Sequence, residues 1–452
     1  MARASRVIRR FLVCSSVLVA ASCALSMSAR PRVRRADKTD VITVFVTGNE
    51  LGALKPCGCS GGQLGGLDRR GTVLDAVSAS KRMTVDTGSF VQGDGEQDLI
   101  KFDILMEAYN RLDYDAVNLT EKDVDIAANR GLFDGGGLNF SLISPHAAGD
   151  ANLSSAFTKQ LKLTGTDVAV TVASFDAAAA PPEQAAELFA NRPGAETANI
   201  LILNTCDANV INSISRLDIA DCLICPSESD EPQLLSKPNI RPLVISVGRY
   251  GKYLAQLQIS PGDVGSRLNL SFSYVPVTED LKPQDSLVEL YKAYQQFVKH
   301  AGLLEKNPRL PLPNGLEYVG SESCKSCHVD SHSYAYEKWS TKRHAHAYAT
   351  LEDVGSQYDP ECIGCHVVGY EYESGYVSEE KTPGLKNVGC ENCHGPGSKH
   401  ISSLGREKTT FPMSDCTDCH TPEHSAGYGE DPQGYFEKIV HWREQNTPGN
   451  VK

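Results

Sequence analysis

Eight of the 15 cysteines fall into four copies of one pattern. These are Cys324-Lys325-Ser326-Cys327-His328, Cys362-Ile363-Gly364-Cys365-His366, Cys390-Glu391-Asn392-Cys393-His394 and Cys416-Thr417-Asp418-Cys419-His420. Two thiols three residues apart, with an imidazole directly after the second, suit one chemistry. The thiols bond to the two vinyl groups of a porphyrin, and the histidine sits under the iron as proximal ligand. Zinc half-sites also use Cys-x-x-Cys, but they do not ask for a histidine after every second cysteine. Disulfides leave the histidines unexplained. The spacing predicts four covalently attached c-type haems, with His328, His366, His394 and His420 on the irons.

The opposite face of each iron needs a second ligand. Met413 is the only methionine in this region, so methionine ligation is nearly excluded. The spare histidines are His332, His344, His346, His400, His424 and His441. Six candidates for four positions predict mainly bis-histidine haems, which favour low potential and rapid electron transfer. His344 and His346 stand two apart, so a helix points them in different directions and one of them is expected to bind iron. His332 and His424 read equally well as solvated surface residues.

Further strings surround these motifs. W-S-T-K-R-H-A-H-A runs from Trp339 to Ala347, and C-I-G-C-H-V-V-G-Y from Cys362 to Tyr370. Gly389-Cys390-Glu391-Asn392-Cys393-His394-Gly395-Pro396-Gly397 is followed by His400. Over about residues 318–443 the chain resembles the tetrahaem cytochrome c-554 family. The resemblance implies His400 as distal ligand to the first-motif haem, His344 to the third and His441 to the fourth. It also implies that the second haem, on His366, is five-coordinate and open to a small nitrogen compound. The sequence is shorter than the family after the fourth motif.

The elements that must position these residues divide the chain. At 452 residues it exceeds what one core supports, so two domains are expected. Val41 to Val46 is a continuous apolar run, the mark of a strand buried on both faces. The runs at residues 116–119, 168–172, 200–203 and 243–246 read the same way, with helical stretches such as Asp98 to Leu112 between them. This alternation predicts an α/β sandwich over residues 40–277. Late strands near 253–259 and 268–275 should pair antiparallel. Residues 278–317 read as a helix from Asp285 to Lys306 and a linker carrying Pro308, Pro311 and Pro313. Beyond them, residues 318–452 hold ten of the 17 tyrosines and few aliphatic runs. That composition predicts a mainly α-helical domain with haem in its core.

The α/β region carries Gly65-Gly66-Leu67-Asp68-Arg69-Arg70, Asp86-Thr87-Gly88 and Val247-Gly248-Arg249-Tyr250-Gly251-Lys252-Tyr253. These residues resemble 5′-nucleotidase-type metallophosphoesterase domains. The family's metal ligands do not line up with this chain: Gly48-Asn49-Glu50-Leu51, Leu119-Thr120-Glu121-Lys122 and Pro226-Ser227-Glu228-Ser229 stand at those places. His146 is the only histidine between residues 40 and 280. A hydrolytic metal needs an organised ligand set, so phosphoesterase activity is expected to be absent. Cys57 and Cys59 lie in a glycine-rich loop after the first strand. With Cys206, and Cys225 as a further candidate, they suggest a thiolate metal or redox site; a disulfide or buried thiols is the plainer reading. The loop lacks the Lys-Ser/Thr pair of a phosphate-binding P-loop.

Arg3, Arg6, Arg9 and Arg10 precede an apolar run from Phe11 to about Leu25. This reads as an export signal over residues 1–36, placing the protein in the periplasm or another extracytoplasmic space. Ala20-Ala21-Ser22-Cys23 resembles a lipobox, so membrane attachment is expected only through a lipid on Cys23. The formal charge is −12. Loss of eight signal arginines leaves 36 basic against 56 acidic residues, about −20. So acidic a chain is unsuited to nucleic acid and suited to redox proteins with basic docking surfaces. The sequence thus predicts an electron-transfer cytochrome, with a haem-based oxidoreductase at His366 as the alternative.

Overall fold

The computed structural model describes residues 40–56, 62–134, 137–146, 153–238, 240–329, 334–409, 415–422, 424–425 and 427–441. The proposed export signal, Cys57, Cys59, His332 and Met413 lie outside the described residues. Strand β1 (Ile42–Thr47) is buried at all six positions. Next to it lie β2 (Arg82–Asp86), β3 (Ala116–Asn118) and β4 (Ser141–Ile143), all parallel. On its other side β11 (Tyr253–Ser260) and β12 (Asn269–Pro276) add antiparallel, in the pairing their consecutive order predicts. A second sheet has the order β5-β6-β7-β8-β10-β9, built from Ala156–Leu163, Thr166–Phe175, Thr197–Leu203, Cys222–Cys225, Leu243–Ser246 and Gln233–Leu234 respectively.

Parallel neighbours require crossovers, and helices supply them. Helix α1 (Leu67–Asp75) joins β1 to β2, α2 (Glu96–Arg111) joins β2 to β3, and α3 (Glu121–Asn129) joins β3 to β4. The last is opened by a reciprocal cap between Thr120 and Asp123. In the second sheet α4 (Ala208–Leu217) joins β7 to β8, started by the Asp207 side chain on two backbone amides.

The two-residue period of the strands sorts side chains into layers. Val44 and Val46 face inward against Val170, Ile200, Ile202 and Ile245 of the other sheet. Phe45 faces outward onto α2, with Phe102, Leu105 and Tyr109. In β7, Leu201 and Leu203 pack outward with Ile214 of α4. The result is helix, sheet, sheet, helix.

Helix α5 (Asp285–Ala301) departs from the expected span. Gly302, in the left-handed region at φ 64°, ends it, and a short α6 (Leu303–Lys306) follows. Nor is this segment a spacer. Leu287, Leu290, Tyr294 and Val298 belong to the outer core under α2. The proline-rich stretch lies along residues 370–376, bridged at Leu310 and Tyr372.

The C-terminal segment consists of short helices: α7 (Ser321–His328), α8 (Ala335–Ser340), α9 (Ala347–Val354), α10 (Pro360–Ile363), α11 (Cys390–His394), α12 (Ser398–Ser402) and α13 (Pro432–Ile439). Its apolar cluster is small: Tyr348, Leu351, Ile363, Val367, Val368, Tyr370, Tyr376 and Leu385, joined by Leu304. Residues 41–452 form one compact unit. Among the described residues, no helix is long and apolar enough to cross a membrane.

Candidate haem-binding site

Each motif occupies one tight turn. The first ends α7, the third forms α11, the second begins in α10, and the fourth opens on a 3-10 turn at Cys416–Asp418. Residues three and four apart on such a turn share a face. Both thiols and the histidine of a motif can therefore address one ligand.

The turns touch in pairs. The Cys324 thiol lies beside that of Cys390, joining the first motif to the third. The Cys419 thiol lies beside that of Cys365, joining the fourth to the second. The chain holds these contacts with its own polar groups. Glu391 is 2% exposed, and its carboxylate accepts from the amides of Val319 (3.0 and 3.1 Å), Gly320 (2.8 Å) and Gly397 (2.7 Å). Ser321 Oγ accepts from the Cys390 amide at 3.1 Å, and Asn392 Nδ2 donates to the Val367 carbonyl at 2.9 Å. Trp339 Nε1 donates to the Val388 carbonyl at 3.1 Å.

The second motif is fastened to the α/β region. Asp359 is 4% exposed. Its carboxylate accepts from Gln97 Nε2 (2.8 Å), Tyr294 Oη (3.0 Å), Gln295 Nε2 (3.4 Å) and the Glu361 amide (3.0 Å). Lys101 of α2 pairs with Glu361 at 2.5 Å. The Tyr291 hydroxyl lies 3.2 Å from Ser356 Oγ.

The histidines are oriented by their second nitrogen. A carbonyl only accepts, so a ring nitrogen facing one carries the proton and the other presents a lone pair. His366 Nδ1 donates to the Ala347 carbonyl (2.6 Å), His400 Nδ1 to Glu407 (2.7 Å) and His441 Nδ1 to Ile439 (3.0 Å). His420 Nδ1 meets Ser425 Oγ at 2.9 Å. In the first three the carbonyl holds the ring proton at Nδ1, the tautomer usual for histidines that ligate a metal through Nε2. His346 is reversed: its Nε2 donates to the Ser340 carbonyl at 2.9 Å. Of the His344–His346 pair, this favours His344 as the ligand. Burial, then the nearby His420, His366 and His441, push His344 down to about 4. Burial, then His441 and His328, push His394 down. Both are kept in the neutral form that binds iron. His424 is exposed and meets Thr421 Oγ1 at 2.9 Å.

Ring centres lie 6.2 Å apart for His344 and His420, and 6.0 Å apart for His394 and His441. Two imidazoles sharing a metal at ~2 Å from each nitrogen have centres about 6 Å apart. Thiol pairs, anchored imidazoles and these separations fit haem. The pairing differs from the one the resemblance implies: His344 stands by the fourth motif rather than the third, and His441 by the third rather than the fourth. His441 follows α13, whose Tyr435, with Tyr428, packs on His420 and directs the chain beyond it.

The α/β region holds other polar groups at its strand ends. Arg70 and Glu50 are fully buried and pair at 2.6 Å. Asp86 accepts from Thr47 Oγ1 (2.6 Å), Tyr109 Oη (2.9 Å) and the Gly88 amide (2.8 Å). A cavity of about 460 Å³ is lined by Leu51, Ser89, Thr120, Lys122, Arg249 and Tyr250, among others. Among the described residues, no three or more histidine, cysteine or acidic side chains are gathered to hold a metal ion. Cys206 is exposed, whereas Cys222 and Cys225 are buried.

Sequence reasoning missed Asp359, Glu391 and the Glu50–Arg70 pair. Asp359-Pro360 carries a helix-start signal that could have marked the first of these. Nothing local distinguishes Glu391 from an exposed acid.

Residues 323–395 match the family of cytochrome c554 and c-prime. That span contains the first three motifs; the fourth lies beyond it. The cytochrome c-554 of Nitrosomonas europaea is 39% identical over 92 residues, covering 18% of this chain and 39% of that protein. The chain therefore spans well under half of the curated relative it matches. Among solved structures, the 5′-nucleotidase precursor of Thermus thermophilus aligns over 60% of this chain and 61% of its own, with TM-score 0.44 and 16% identity. The NAD nucleotidase of Haemophilus influenzae aligns over 63% and 64%, with TM-score 0.43 and 10% identity. Over residues 323–395, which hold three of the four motifs, the C-terminal segment is thus similar to cytochrome c554 and c-prime, and to the cytochrome c-554 of Nitrosomonas europaea in particular.

Proposed function

We propose that the protein carries electrons between extracytoplasmic redox partners through four covalently bound haems. The observation that carries this reading is the pairwise contact of the motifs, first with third and second with fourth. Attachment points in contact hold their cofactors close, and closeness governs transfer between them. Each haem supplies an iron that accepts and releases one electron. The thiols of Cys324, Cys327, Cys362, Cys365, Cys390, Cys393, Cys416 and Cys419 tether the porphyrins. His328, His366, His394 and His420 serve as proximal ligands, and His344, His400 and His441 as distal ones. The Nδ1 bonds fix ring orientation and raise the basicity of Nε2. Residues 318–452 act as the haem domain and residues 40–277 as a phosphoesterase-like body without that activity. The acidic chain, exported by its N-terminal signal, suits partners with a basic docking surface.

Haem content and spin state of the intact protein test the proposal. Four irons per chain, chiefly low-spin, are expected. A chain without covalent haem overturns it. A high-spin iron that takes up nitric oxide and is lost with the His366 motif turns the reading to the oxidoreductase.

A further inference from the structure

Strands β7 and β8 are parallel neighbours, in register at Ile202 and Ile224. Their carboxyl ends lie together. Cys225 closes β8 at 1% exposure, inside the outer core of the second sheet. Cys206 follows β7 by three residues and is exposed. Its thiol donates to the Pro226 carbonyl at 3.0 Å and lies beside the Cys225 thiol. Cys222 begins the same strand three residues earlier, so it sits roughly 10 Å back along β8.

We propose that Cys206 and Cys225 form a thiol–disulfide site, oxidised in the exported protein by exchange with an extracytoplasmic protein disulfide. The exposed Cys206 sulfur attacks the incoming disulfide, and one partner thiol leaves. The Cys225 sulfur then attacks Cys206 and expels the second. Two S–H bonds are lost from this chain and one S–S bond forms. Two electrons and both protons end on the partner, now a dithiol. An accessible attacking thiol backed by a buried resolving one is the arrangement such exchange requires. Reversal proceeds at the exposed Cys206 sulfur and must expel Cys225. Burial pushes that thiol up, and a leaving thiol of raised pKa departs slowly. The closed site therefore resists reduction while the protein is folded.

The inference rests on export, so one sample should report both. Exported full-length protein is alkylated with iodoacetamide, digested and mapped by mass spectrometry, with its haem stain recorded alongside. The expected result is a cross-linked peptide pair containing Cys206 and Cys225, both protected from alkylation. Dithiothreitol opens it at least ten times faster after unfolding than before. Cys206→Ser, at an exposed position, and Cys225→Ser both abolish the cross-link, whereas Cys222→Ala leaves it. Full alkylation of both thiols in haem-stained protein overturns the site while leaving the cytochrome reading intact. A Cys206 cross-link to Cys57 or Cys59 instead also overturns it. Absence of haem stain with the cross-link present points the other way, against the cytochrome reading.

Discussion

The α/β region and the C-terminal segment keep their residues together by different means. In the first, branched side chains from two sheets fill an interior, and helices cover both outer faces. Burial of apolar area drives such a body without any cofactor. In the second, the apolar cluster among the described residues has nine buried side chains, one of them Leu304 of α6, and three are tyrosines. Backbone amides there are gathered by single side chains such as Glu391 and Asn392. The contrast teaches that one part is held by the apolar packing of its own side chains. The other has a polar frame prepared for something apolar to be placed within it.

Withholding haem should break the comparison most visibly. Protein made without haem attachment is expected to lose protease protection over residues 318–441 by about tenfold or more, because metal-site binding there is folding free energy. The α/β region should keep its cooperative urea transition. Next in size is Glu391→Ala. It strands three buried amides at about 1–3 kcal/mol each, so a loss of about 3 kcal/mol or more is expected in the segment's unfolding, read from haem absorbance against urea. Glu391→Gln, which keeps one acceptor oxygen, should cost less. Asp359→Ala acts on the seam between the parts. It removes the acceptor shared by Gln97, Tyr294 and Gln295, and about 2 kcal/mol should disappear from the coupling between the two unfolding transitions. Hydrogen exchange at residues 356–363 should rise with it.

A further effect belongs to the α/β region and depends on pH. Burial pushes Glu50 up to about 7, with Arg70 only partly offsetting it. An unfolded glutamate ionises near ~4.3. Between these values the unfolded chain has released a proton that the folded chain still holds. Stability from this group is therefore full below that window, falls as pH rises through it, and is level above. Glu50→Gln should remove that slope, as urea midpoints across the window would register.

Much of this is legible in the residues. The four motifs announce themselves because each repeats the same spacing of two cysteines and a histidine. The strand at Val41 to Val46 does so because only burial on both faces tolerates six such residues in a row. The expected span of helix α5 runs too long because its apolar period continues past Gly302, although a glycine there is the usual stop signal. The orientation of the histidines is not legible. It depends on where the carbonyls of Ala347, Ile439 and Ser340 arrive, and those positions are set by tertiary folding. Asp359 escapes notice for the same reason, since three of its four donors come from α2 and α5.

Helix α5 belongs to both parts at once. Leu287, Leu290 and Val298 lie in the core of the α/β region, while Tyr291, Tyr294 and Gln295 reach toward the second motif. The proline-rich stretch after it looks like a natural place to cut, yet a cut there would leave Asp359 without its partners. The C-terminal segment is consequently not a transferable cassette: an engineer grafting it onto another carrier would have to bring α5, and the face of α2 it rests on, along with it.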